Sequence, residues 1–139
     1  MPKRDVRLEM LAQVPMFSAC SKRELQLIAR RADPLDIDKG QVLVKEGTTG
    51  HEFFVIIHGK AKVTRRGRQV AVLGPGNFFG ELALLDTAPR NASVTAQTPM
   101  EVLVLGQREF SGLLAEVPAM STKVMKGMAR RLHELDAKA

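Results

Sequence analysis

Gly74-Pro75-Gly76-Asn77-Phe78-Phe79-Gly80-Glu81-Leu82-Ala83-Leu84-Leu85-Asp86-Thr87-Ala88-Pro89-Arg90-Asn91-Ala92-Ser93-Val94 is the stretch on which the reading of this chain turns. It matches neither a Walker loop nor a dinucleotide fingerprint. Gly80 lets the backbone come close to a ligand, and Glu81-Leu82-Ala83-Leu84-Leu85 favours a short helix. A helix start presents N–H groups that suit an anion. Arg90 follows nine residues after Glu81, and its planar guanidinium can grip a phosphate through two parallel hydrogen bonds. Pro89 stiffens the approach. Backbone donors and one arginine on an anion, with a carboxylate to accept from a hydroxyl, describe a sugar-phosphate site.

On either side of this stretch, from Leu35 to Leu105, short β-rich runs are punctuated by glycine at the spacing of a sandwich or barrel. The expected strands are Leu35–Ile37, Val42–Val44, Phe53–His58, Ala61–Thr64, Gln69–Leu73, Ser93–Ala96 and Val102–Leu105. Turns fall at Lys39-Gly40, His58-Gly59, Arg66-Gly67 and Gly74-Pro75-Gly76. Before the β region, Arg7–Val14 and Lys22–Ala32 carry apolar residues at helical spacing. Ser21 and Glu24 form a capping-box pattern for the second helix, and Pro34 marks its end. After it come a helix over Gln107–Val117 and another from Pro118, which suits the first helical position. In the last helix Met120, Val124, Met128, Leu132 and Leu135 form an apolar stripe that must be buried, on the β region or on a second copy. Gly127 costs about 1 kcal/mol relative to alanine there, which points to a bend or a close contact.

The chain has 139 residues, 45% hydrophobic and 26% charged, the profile of one globular domain. No run approaches the roughly 18 apolar residues of a membrane span, and Met1 to Arg7 leads into no signal-peptide segment, so a cytoplasmic protein without membrane insertion is expected. Cys20 is the only cysteine, which removes an intramolecular disulfide and a zinc cluster. The net charge of +6 is spread over Arg30-Arg31, the Arg65-Arg66-Gly67-Arg68 turn, and Lys123, Lys126, Arg130 and Arg131. Without Trp or Tyr most of a base-stacking platform is missing, and the basic residues of the last helix form a rim that cannot read bases in a groove, so no sequence-specific DNA binding by this chain is expected.

Phe79-Gly80-Glu81-Leu82-Ala83-Leu84 followed by Pro89-Arg90-Asn91-Ala92-Ser93-Val94 resembles the phosphate-binding cassette of cyclic nucleotide-binding domains, as in catabolite-activator regulators, kinase regulatory subunits and cyclic-nucleotide-gated channels. The resemblance implies an α+β fold: an eight-stranded antiparallel β-roll, a jelly-roll-like double-stranded β-helix, with N-terminal helices and C-terminal lid helices. It divides one domain, residues 1–139, into N-terminal helices (1–34), a roll (35–105) holding the cassette (79–94), and C-terminal helices (106–139). It also implies ligand contacts by Gly80, Glu81, Leu82, Ala83, Arg90, Asn91 and Ala92. Glu81 accepts from the ribose 2′-hydroxyl, Arg90 pairs with the cyclic phosphate, and the N–H groups of Leu82, Ala83 and Asn91 complete the cradle. Met128 or Arg131 is the lid residue facing the base. Asn91 is an amide where much of the family holds a small residue or a hydroxyl, which leaves the choice between cAMP and cGMP open.

The function implied is a cAMP sensor, with cGMP as second ligand, that passes binding to its C-terminal helices. No nucleophile or general base points to turnover, so no enzyme is expected, and no cofactor beyond the nucleotide. Cupins share the roll, but His51 and His58 stand seven apart rather than in the paired-histidine pattern of a metal site. The competing reading is a nucleotide-free module of the same fold, acting in dimerisation or effector contact through the C-terminal helix.

Overall fold

The computed structural model describes residues 6–138. The expectation that rested on Met1–Asp5 lies outside them. Helix α1 spans Val6–Gln13 and α2 Lys22–Arg31. Ten strands follow: β1 (Asp33–Ile37), β2 (Val42–Val44), β3 (Thr49–Gly50), β4 (Glu52–His58), β5 (Ala61–Arg65), β6 (Arg68–Leu73), β7 (Phe78–Phe79), β8 (Ala88–Pro89), β9 (Ser93–Ala96) and β10 (Met100–Gly106). Helices α3 (Gln107–Glu116) and α4 (Ala119–Lys138) close the described chain. Two compact units result, a helical one (residues up to Arg31 and from Arg108) and a β one (Ala32–Gln107). Among the described residues no helix is long and apolar enough to cross a membrane.

In the β unit two antiparallel four-stranded sheets run β1-β10-β4-β7 and β2-β9-β5-β6, and β3 pairs with β8 apart from them. Alternation puts Phe54 and Ile56 of β4 and Val102 and Val104 of β10 on one inner face, which meets Ala61, Val94 and Ala96 of the second sheet in a single core. The two sheets together hold the eight strands that the resemblance implies, seven of them marked in the sequence; the β3–β8 ladder is additional. Three segments the sequence reading did not mark, β3, β7 and β8, are two residues long, too short for any period to show. Strand β1 begins at Asp33, so Pro34 belongs to a strand instead of ending a helix. It is tolerated because β1 is an edge, paired only with β10. β7 pairs Phe79 with Phe54, whose rings stack at 4.8 Å, and this fixes the chain immediately before Gly80.

In the helical unit the capping box forms as the sequence predicts: Ser21 N–H donates to Glu24 Oε1 at 2.8 Å and Glu24 N–H to Ser21 Oγ at 3.2 Å. Lys123 Nζ of α4 donates to the same carboxylate at 2.6 Å. Burial pushes the Cys20 thiol up to about 11, with the Glu24 charge adding to the shift, so it is protonated and unreactive at neutral pH. Gly127 makes the close contact expected of it: a Cβ there would run into the carbonyl oxygens of Pro15 and Met16. Pro118 lies one residue ahead of α4 instead of at its first position.

The stripe on α4 departs from expectation. Met120 and Val124 are buried, Met128 is half-buried, and Leu132 and Leu135 are 61% and 47% exposed. Within its unit α4 packs on the three-residue turn Pro15–Phe17, whereas a helix of 20 residues spans about 30 Å. The turn is far shorter than the stripe.

Candidate anion-binding site around Arg90

Gly80 adopts φ +82°, a left-handed conformation that glycine enters without a Cβ clash, and it caps the one-turn 3₁₀ helix Glu81–Leu84. A side chain at Gly80 would lie 2.6 Å from Arg90 Nη1 and 2.7 Å from the Glu52 carbonyl oxygen. Arg90 is positioned by backbone on both sides: its N–H donates to Thr48 O at 2.8 Å and its carbonyl accepts from Gly47 N–H at 2.8 Å. The β3–β8 ladder, Thr49 against Pro89 and Gly50 against Ala88, continues that pairing. The side chain then reaches Glu52, Nη2 donating to its carbonyl oxygen at 2.7 Å.

Burial lowers the Arg90 pKa and the Glu52 charge works against that shift. A guanidinium starts so high that it remains a cation. One bond to Glu52 uses one of its five N–H donors, which leaves a positive fork for an incoming acceptor.

Gly80, Glu81, Leu82, Ala83, Arg90 and Asn91 line one pocket of about 430 Å³, together with Phe78, Phe79, Asp86, Ala88 and Pro89. Of the residues singled out in the sequence, Ala92 does not line it and is buried beside it. Glu81 is half-buried with Oε2 shut off from solvent. The Ala83 N–H, expected to face phosphate, donates to Gly80 O at 3.1 Å, because the 3₁₀ turn closes its own hydrogen bond there. The Asn91 carbonyl accepts from Arg65 Nε at 3.1 Å, which steadies the loop after Arg90. Met128 and Arg131 lie on α4, in the helical unit, and Arg131 Nη1 stands 3.6 Å from Glu134 Oε2.

Sequence reasoning missed the segment Thr48–Glu52. It lines a second cavity of about 270 Å³ with Val42–Lys45, and Arg90 lines both cavities. Asp86, also in the first pocket, was given no role. The Gly47 and Gly50 spacing signals a turn, but nothing local shows that the turn wraps an arginine 38 residues from Glu52.

A family model described as the cyclic nucleotide-binding domain matches residues 34–117, across both sheets and the Arg90 pocket. The chain belongs to that family. The cyclic nucleotide-binding domain is 30% identical, over 89% of its length, to a CRP-like cAMP-activated global transcriptional regulator of Mycobacterium tuberculosis, and spans 58% of that protein. It is 34% identical, over 98% of its length, to the cAMP-dependent protein kinase regulatory subunit of Hypocrea atroviridis, of which it spans 28%. Its structure matches the N-terminal domain of a transcriptional regulator from Streptomyces coelicolor with a TM-score of 0.86 at 30% identity, covering 96% of each chain. These relatives are regulatory proteins, and the domain spans little more than half or less of the two curated ones.

Proposed function

We propose that this domain is a cAMP sensor whose ligand lies in the pocket between Gly80 and Asn91. The observation that carries the reading is a single pocket of about 430 Å³ lined by one guanidinium residue, Arg90, and two carboxylate residues, Glu81 and Asp86, a size within the roughly 300–1,000 Å³ of small-molecule sites. Arg90 attracts an anion, while Glu81 and Asp86 penalise excess negative charge. A cyclic phosphodiester carries one charge and a terminal phosphate carries nearly two, so the balance favours cAMP over AMP. Arg90 takes the phosphate, Glu81 accepts from the 2′-hydroxyl, and the backbone from Gly80 to Ala83 with Asn91 and Ala92 shapes the cradle. The Mycobacterium and Hypocrea relatives, named for cAMP, support the choice of nucleotide.

The domain signals by binding, without turnover. Occupancy shifts the C-terminal helices to the extent that the nucleotide prefers one of their arrangements, with Met128 or Arg131 as lid. The exposed Leu132 and Leu135 then offer a surface for a second copy or an effector in the cytoplasm. Calorimetric titration with cAMP, cGMP and AMP tests the reading. A saturable heat with cAMP and a much weaker one with AMP is expected. No heat with either cyclic nucleotide would favour the nucleotide-free module instead.

A further inference from the structure

Two consecutive peptide groups lead away from Arg90, and each is held by its carbonyl. Arg90 O accepts from the Gly47 N–H at 2.8 Å, and Asn91 O accepts from Arg65 Nε at 3.1 Å. Among the described residues no peptide bond is cis, so each N–H points opposite to the carbonyl of its own peptide group. The Asn91 N–H is therefore aimed away from Gly47, and Asn91 lines the pocket. The first hold on residue 91 is made by backbone. The second is made by a side chain 26 residues away in sequence.

The end of β5 that supplies Arg65 is pinned at the same place. β5 ends at Arg65 and β6 begins at Arg68, so Arg66-Gly67 is a two-residue turn, with φ of +53° and +78°. Among the described residues Arg66 is the one non-glycine with positive φ, a conformation that L-residues adopt at a cost. Its N–H donates to Glu46 Oε1 at 3.0 Å, and the Glu46 N–H donates to Ser93 Oγ at 2.9 Å. The turn is thus tied to the chain just before Gly47 and just after Ala92.

We infer that Arg65 is a positioning residue for Asn91: with Gly47 it clamps residue 91 between two fixed peptide planes, which holds the Asn91 N–H ready for the anion. The inference rests on the cyclic-nucleotide reading for its effect on binding and on hydrogen-bond geometry alone for the positioning. The part of Arg65 that acts is its Nε–H donor, and its positive charge is secondary. Without that donor the Asn91–Ala92 peptide is free to rotate, and part of the binding energy goes into ordering it again.

Two neutral substitutions of similar length separate the donor from the charge. Arg65→Gln places an amide N–H as many bonds from Cα as Nε, whereas Arg65→Met has a methyl there and no donor. Calorimetry measures cAMP affinity, and NMR of the nucleotide-free domain records the carbonyl carbon signal of Asn91. Arg65→Met is expected to shift that signal and to bind cAMP about threefold more weakly than Arg65→Gln, whose signal stays near its native position. Arg65 is exposed, so both variants are expected to keep the native thermal midpoint. Equal affinity in the two variants overturns the inference, because both have lost the charge and only one the donor. An Asn91 signal that does not move in Arg65→Met overturns it too, as does a midpoint lowered in that variant, which would make the bond a matter of stability. If the native domain binds no cAMP, the nucleotide reading fails, and the Asn91 signals of the two variants alone decide the positioning.

Discussion

Arg90 and Glu81 line the same pocket with opposite charge, and each leads to a separate expectation. Charge-assisted hydrogen bonds contribute about 1.5–3 kcal/mol each, so Arg90→Ala is expected to weaken cAMP binding at least about tenfold in calorimetry. Arg90→Lys restores part of it, since an ammonium keeps the charge and loses the fork. For Glu81 the check is a cycle: Glu81→Ala and 2′-deoxy-cAMP each lose a similar amount, and together little more than one alone. Losses that sum independently would separate Glu81 from the hydroxyl. Both residues were legible because the motif holds them at fixed spacing. Glu52 was not, because it meets Arg90 across the β3–β8 ladder, whose strands are two residues long.

Helix α4 shows what periodicity conveys and what it does not. Its 20 residues carry a regular apolar stripe, yet Met120 and Val124 are buried while Leu132 and Leu135 are exposed. Helix propensity alone makes Gly127→Ala stabilising by about 1 kcal/mol. The carbonyls of Pro15 and Met16 reverse that sign, and a lower thermal midpoint is expected, for an overpacking cost of about 1–3 kcal/mol. The tie between α2 and α4 adds a pH dependence. Burial alone would raise the Glu24 pKa, but hydrogen bonds from Lys123 and Ser21 outweigh it and hold the carboxyl below 4.5. The folded state therefore favours the carboxylate. Its stabilisation is present above the unfolded pKa and is lost as pH falls through the lower folded value. Melting curves from neutral pH to below 4.5 are expected to show a steeper acid decline in the native domain than in Glu24→Gln. Equal acid limbs would remove Glu24 as a contributor.

The net charge of +6 belongs to the whole molecule, and part of it is already engaged. Arg31 pairs with Glu116, Lys123 with Glu24, Arg131 with Glu134, and Arg65 donates to the Asn91 carbonyl. Base readout needs an element lodged in a groove, so charge of this kind is expected to give weak, salt-sensitive association, on the order of 10⁻⁴–10⁻⁶ M, without sequence preference. Polarisation titrations over random and palindromic duplexes, with and without cAMP, check this. A cAMP-dependent preference for one duplex at physiological salt would overturn it.

The four helices, the seven longer strands, their order and the Gly80-to-Arg90 motif were readable along the chain. Helix and strand periods, the Ser21–Glu24 cap and the Gly80-to-Arg90 spacing are local relations, written within a few residues of one another. Three matters waited for the folded chain: how far the α4 stripe is covered, which amide of the 3₁₀ turn is already used, and what holds Arg90 in place. The amide of Ala83 is used within its own turn, whereas the other two depend on a neighbour brought from elsewhere, the Pro15–Phe17 turn beneath α4 and the Thr48–Glu52 segment around the guanidinium. Periodicity says which face of an element is apolar. Only the packed arrangement says how much of that face is covered, because coverage is set by the length and place of a second element.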